Sequence, residues 1–361
     1  MIEKIKLFDV HLGTEEKKAV LETLKSHFWA SGSGIGNVSK FEKKFNQYVK
    51  SKACVTVNSG TAALELALSL TNIRDKEVIL PSLSFVSTAH AVILNGGIPV
   101  FVDVDPNSLC IEPKEIEKHI SKKTKVIIPV HFGGMPCNLD RIQSICKKNK
   151  ILLVEDAAHA AGASYKNRKI GNHGLAVCFS FHPVKNLAMP TGGAITFNGR
   201  DGEKMKEKIQ SRRWCGISNR KGSDYDVKEI FGNYYLNEFS AAIGISQLKK
   251  LDELNQKRKQ IAKKYFNEII LDEKMPLSKD CVYHLYWIRV RNRKRFMEEM
   301  NKKGIETGIH YKPIHKMSAY KNNISLPNTE KISDEIVSIP MHPNLTNKNV
   351  DYIIKTINNL V

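Results

Sequence analysis

At 361 residues the chain can bury a large core, and it suits one large domain followed by a smaller one. A hydrophobic content of 42% and a charged content of 26% fit a soluble globular protein; no apolar run is long enough to cross a bilayer and the N-terminal segment lacks a secretory pattern, so the expected compartment is the cytoplasm. The net charge of +19 invites a nucleic-acid partner, but no zinc, helix-turn-helix or aromatic–basic motif accompanies it.

The lysines are dispersed along helical stretches such as 249–264, so the charge reads as a solvated surface with partial recruitment for anionic substrates. Seven cysteines, an odd number without a C-x-x-C pair, read as reduced core residues.

In chain order, residues 14–29 carry an amphipathic helical period with Thr14 as cap, and a glycine-rich loop, A-S-G-S-G-I-G-N (30–37), follows. A helix over 40–49 leads to a strand at 53–57. The junction N-S-G-T-A-A-L-E-L-A-L (58–68) is then a strand, a turn and a helix start. Helix N-termini expose unpaired N–H groups, so Ser59, Gly60 and Thr61 can cradle a phosphate; taken alone, S-G-T is more often a plain cap. Further buried strands are expected near 77, at 98–105, 125–131, 151–156, 176–187 and 191–197, with helices around 113–120 and 202–213 between them.

Strands alternating with helices predict an α/β fold, a mostly parallel sheet sandwiched by helices. A polar, Arg-containing loop should follow position 213, and a long charged helix over 245–270 should bridge to a small C-terminal α+β domain. That domain holds a strand at 282–290, a helix at 294–303 and a C-terminal helix. The expected division is 1–245 and 246–361.

The strand I-L-L-V-E-D ends at Asp156, and F-S-F-H-P-V-K-N carries Lys185 29 residues later. Open α/β sheets place ligands at the carboxyl ends of their strands. Pyridoxal 5′-phosphate (PLP) chemistry wants such a pair, an amine that forms a Schiff base with the aldehyde and a carboxylate that keeps the pyridine nitrogen protonated. Read in isolation, Asp156 is more often a cap or turn former and Lys185 a solvated surface group. His131 and His159 match no metal-ligand spacing and read as satisfied core or site histidines.

V-E-D-A-A-H-A, F-S-F-H-P-V-K-N, the T-G-G-A turn and N-S-G-T-A-A-L together resemble the DegT/DnrJ-type PLP-dependent sugar aminotransferases, over essentially the whole chain. The resemblance implies a fold-type I PLP homodimer in which Lys185 is the covalent anchor and proton carrier and Asp156 the partner of the ring nitrogen. It implies that Ser59, Gly60, Thr61 and Ser180 hold the phosphate and that Phe85 stacks on the ring. It places His159 beside the phenolic oxygen, Asn233 across the dimer interface at the partner's phosphate, and His310 and Tyr311 at the substrate, with loop 30–37 near its mouth. His182 carries no assigned role.

The implied reaction moves an amino group from L-glutamate to a nucleotide-diphospho-ketosugar, at C4, in surface-polysaccharide or glycoconjugate synthesis. Two positions depart from the family's pattern: Cys215 stands where a histidine is usual, and Tyr235 where an arginine is. Two rivals remain. A sugar dehydratase on this fold would replace Lys185 with histidine, and a non-catalytic binding or regulatory protein would not need Lys185, Asp156 and Ser180 together.

Overall fold

Seven Val-, Ile- and Leu-containing runs form one sheet in the computed structural model, which describes residues 4–320 and 323–361. The strands up to position 197 are β1 (Ala53–Val57), β2 (Glu77–Pro81), β3 (Ile98–Val102), β4 (Thr124–Ile127), β5 (Leu152–Asp156), the short hairpin β6 (Ser164–Tyr165) and β7 (Arg168–Lys169), β8 (Ala176–Ser180) and β9 (Gly193–Phe197). Without the hairpin, their order is β1-β9-β8-β5-β4-β2-β3, and only β9 runs antiparallel to its neighbours. Pro99 sits in β3, an edge strand, where its missing N–H is tolerated.

Neither face of the sheet is wet. Val177 and Phe179 enter one core while Ala176 and Cys178 enter the other, and Ile79 likewise opposes Val78 and Leu80. That is why these strands read as unbroken apolar runs. The covering helices are α1 (Thr14–Lys25), α2 (Asn37–Val49), α3 (Gly60–Ser69), α4 (Ser87–Leu94), α5 (Pro113–His119), α6 (Leu139–Asn149) and α7 (Gly202–Arg212).

Downstream, the hairpin β10 (Ile217–Lys221) and β11 (Asp224–Val227) precedes the 31-residue α8 (Glu238–Glu268). The antiparallel pair β12 (Tyr286–Arg289) and β13 (Ile336–Ile339) then packs with α9 (Arg293–Lys302), α10 (Pro327–Glu335) and α11 (Asn347–Asn358). Among the described residues, no helix is long and apolar enough to cross a membrane.

Several boundaries differ from expectation. Helix α1 stops at Lys25, and its cap is Gly13, whose N–H donates to the Glu16 carboxylate at 2.8 Å; Thr14 lies inside the helix. Helix α2 starts at Asn37 rather than Lys40, because the Glu238 carboxylate of α8 accepts the Asn37 N–H at 2.5 Å and the Val38 N–H at 3.4 Å. A cap supplied from 200 residues away leaves no local trace. The expected loop after position 213 is partly an exposed hairpin turning at Gly222, where φ is 64°. Strand β3 ends at Val102 and β4 at Ile127, with only single bridges at Val104 and Val130 beyond them. Helix α8 passes position 245 without a break.

Candidate active site

The register of β5 on β8 pairs Asp156 with Cys178 and brings Asp156 and Ser180 to one edge of the sheet. Helix α3 starts beside them. Ser59 caps it by accepting the Ala62 N–H at 3.1 Å, and the first backbone bond runs from Ala63 N–H to the Ser59 carbonyl. The N–H groups of Gly60 and Thr61 precede that bond and have no intrahelical partner. Gly60 is required by packing: a Cβ there would sit 2.7 Å from the Ser180 Cβ. The helix start and the Ser180 hydroxyl therefore share one corner, joined by Thr61 and Ser87, whose hydroxyl oxygens are 2.7 Å apart. An anion is the natural occupant of such a corner.

That corner is one end of a cavity of about 340 Å³. Its walls include Ser59, Gly60, Thr61, Phe85, Asp156, His159, Ser180, Lys185, His310 and Tyr311, all named from sequence. Phe85 is 57% exposed and presents its ring to the cavity mouth, 6.1 Å from the Tyr311 ring. Asn233 is not among the lining residues. It is exposed, and its carbonyl accepts from the Asn58 amide at 3.4 Å. No residue of 30–37 lines the cavity of this chain, nor do Cys215 and Tyr235. Cys215 is exposed, while Tyr235 packs edge-on to Trp214.

Asp156 is 5% exposed. One carboxylate oxygen accepts from the Thr88 hydroxyl at 2.8 Å and the other from the Ala158 N–H at 3.1 Å. Burial outweighs these bonds and holds its carboxyl above the ordinary range, although Lys185 and His131 pull it down. A buried carboxylate with only two neutral donors is poised for a cation.

Lys185 opens onto the same cavity. Burial lowers its ammonium to about 8, against a smaller upward pull from Asp156. Its Nζ lies 3.5 Å from His284 Nε2. His159 accepts the Gly133 N–H at Nδ1, 3.2 Å away, so its proton lies on Nε2, which meets the Tyr311 hydroxyl at 3.1 Å. Burial depresses His159 well below the usual histidine value and His310 to about 4, so both are neutral at pH 7. His310 Nδ1 lies 2.9 Å from the Ser338 hydroxyl.

His131 is a core residue: Nδ1 accepts the Cys137 N–H at 3.1 Å, and Nε2 donates to Glu155 at 3.0 Å. His182 lines the cavity at its exposed side. Thr88, Ser87 and His284 are the residues that sequence reading missed. Thr88 and Ser87 follow Phe85 in an S-F-V-S-T run. A histidine inside V-Y-H-L-Y-W was the one signal for His284.

These residues suit PLP. The α3 corner supplies hydroxyl and N–H donors for a phosphate, Asp156 an acceptor for a protonated ring nitrogen, and Lys185 an amine whose ammonium is lowered to about 8.

Residues 10–358 match the DegT/DnrJ/EryC1/StrS aminotransferase family. The chain is 36% identical over 375 residues to MJ1066, an uncharacterized protein of Methanocaldococcus jannaschii, covering 97% of this chain and 96% of that one. Its fold is similar to Spr1654 of Streptococcus pneumoniae in the PMP form, at a TM-score of 0.94 and 28% identity over 99% and 97% of the two chains. Spr1654 is also solved in a PLP form. PseC of Helicobacter pylori, an aminotransferase involved in the biosynthesis of pseudoaminic acid, matches at a TM-score of 0.92 and 31% identity over 99% of each chain. The chain belongs to the DegT/DnrJ/EryC1/StrS aminotransferase family, and it is a PLP enzyme.

Proposed function

We propose that the protein aminates a sugar: it takes the amino group of L-glutamate and delivers it to the C4 keto group of a nucleotide-diphospho-sugar. The products would feed surface-polysaccharide or glycoconjugate synthesis, and the compartment is the cytoplasm. The observation that carries this reading is a single cavity holding a buried lysine with a lowered ammonium value, a buried carboxylate and an anion corner. The likeness to PseC supports the sugar acceptor.

Bound PLP supplies an aldehyde for the amine and a ring that accepts electrons. Lys185 would anchor the cofactor through Nζ, and its free amine would carry the proton between reacting carbons as base and acid. Asp156, held by Thr88 and Ala158, would keep the ring nitrogen protonated. Ser59, Gly60, Thr61 and Ser180 would hold the phosphate, Phe85 would cover the ring, His159 would serve its phenolic oxygen, and His310 and Tyr311 would face the substrate. The chain divides into 1–245, with the seven-stranded sheet, and 246–361, with β12 and β13; α8 joins the two.

The test is purified holoenzyme mixed with L-glutamate, followed by a panel of nucleotide-linked 4-keto and 3-keto sugars. Glutamate alone should bleach the cofactor's absorption band and release 2-oxoglutarate stoichiometrically, and a 4-keto sugar should restore the band and gain an amine. A band unchanged by glutamate and by every sugar would sink the proposal.

The same proposal makes the enzyme a homodimer whose sites are shared, with Asn233 reaching the partner's phosphate; its exposure outside this chain's own cavity supports that reading. Asn233→Ala should therefore weaken PLP retention more than it slows chemistry. Mixing Lys185→Ala with Asn233→Ala subunits should create one complete site per heterodimer. Unchanged PLP occupancy in a mixture with proven subunit exchange would rule the shared site out.

A further inference from the structure

His284 is 2% exposed, and it is tied in from several sides. Its backbone N–H donates to the Gly133 carbonyl at 2.8 Å, and its ring stacks on Phe8 and lies 4.4 Å from the His159 ring. The polar atoms around it form a chain with one direction. The Asn255 amide nitrogen donates to the Ala161 carbonyl at 3.1 Å, which leaves its oxygen to accept from the Asn186 amide nitrogen at 2.8 Å. Asn186 spends its other amide hydrogen on the Val282 carbonyl at 3.0 Å. Its oxygen then faces His284 Nδ1 at 3.3 Å and can only accept. Both asparagines are buried, so neither amide can turn over without leaving donors unpaired.

His284 therefore carries its proton on Nδ1, and a bare lone pair at Nε2 faces Lys185 Nζ at 3.5 Å. Burial and the nearby Lys185, His159, Arg258 and His310 hold the imidazole neutral, which keeps that lone pair available. We infer that His284 is a positioning residue for Lys185: it accepts one N–H of the amine and thereby aims the amine's own lone pair into the cavity. The inference rests on the proposed role of Lys185. An amine that must take a proton from carbon has three directions in which to point its lone pair. An acceptor fixed on one N–H removes most of that freedom, and orientation is worth large factors in rate.

Two measurements test it. The first is single-turnover release of 2-oxoglutarate from L-glutamate by the PLP-loaded enzyme. His284→Leu should slow it by about 100-fold with little change in the half-saturating glutamate concentration. His284→Gln, which returns an amide oxygen within reach of the amine, should recover most of the loss. Equal rates in the two variants, whether fast or slow, overturn the inference.

The second needs no variant to fold. In wild-type protein carrying ¹⁵N-histidine, with and without PLP, His284 should be neutral with its proton on Nδ1; a proton on Nε2, or a charged ring, overturns it. Neither readout is confused with failure of the parent reading, which is judged by whether Lys185→Ala still transfers the amine.

Discussion

Lys185→Ala is expected to reduce amine transfer by on the order of 10⁴-fold or more while leaving the melting temperature near that of the wild type. The loss is large because one atom serves two needs, covalent attachment of the cofactor and proton movement between carbons. With its ammonium lowered to about 8, Lys185 is half free base at pH 8. An unperturbed lysine at 10.5 would be free base in only about one molecule in 300 at that pH. The fold should survive for a reason visible at the side chain. Lys185 Nζ makes no ion pair within 4 Å among the described residues and one long contact, to His284, so its removal breaks no direct ion pair; Asp156 loses a through-space attraction but keeps its Thr88 and Ala158 donors. Activity is read as 2-oxoglutarate released from L-glutamate, and folding by circular dichroism. Near-wild-type transfer would remove Lys185 from the chemistry.

The second large effect belongs to Asp156. Asp156→Asn should slow the proton-transfer steps by about 10²- to 10³-fold, because a neutral amide does not hold the ring nitrogen in its protonated form. The shape is kept: the amide oxygen can still accept the Ala158 N–H, and the Thr88 hydroxyl can rotate to accept from the new NH₂. A pH measurement separates this from a trivial cause. The carboxylate raises the Lys185 value, since a neighbouring negative charge favours the ammonium. Removing it must lower the midpoint below about 8 and leave more free base at any given pH. The variant would therefore be slower in spite of a more available amine. The midpoint is read from the rate at which Lys185 of the apoenzyme is reductively methylated across pH 6–10, peptide by peptide. A midpoint that rises in Asp156→Asn would contradict the electrostatic account.

The parts of the site legible in the sequence were those built by near neighbours. Ser59, Gly60 and Thr61 lie at a strand–turn–helix junction, where cap residues and an apolar run announce a helix start within a few positions. Asp156 and Ser180 end apolar runs, and strands buried on both faces show as such runs because apolar side chains enter both cores. For the same reason most strands and helices could be placed to within a few residues, although β8 stops at Ser180 while the expected strand ran to 187. The resemblance added roles for Phe85, His159, Asn233, His310 and Tyr311, which periodicity alone would have left as packing.

The remainder rests on contacts between distant positions. Thr88 meets Asp156 across 68 residues, His284 meets Lys185 across 99, and Glu238 caps α2 across 200. Hydrophobic period and capping rules report on residues three or four apart, so they carry no information about such pairs. The charge states were out of reach for a related physical reason. Lys185 and His284 are ordinary in composition, and their values move because the folded chain strips water from them and sets other charged groups nearby. Chain order and local chemistry marked the lysine, the carboxylate and the anion corner as candidates and the resemblance gave them roles; the packing of β5, β8 and α3 brought them to one cavity.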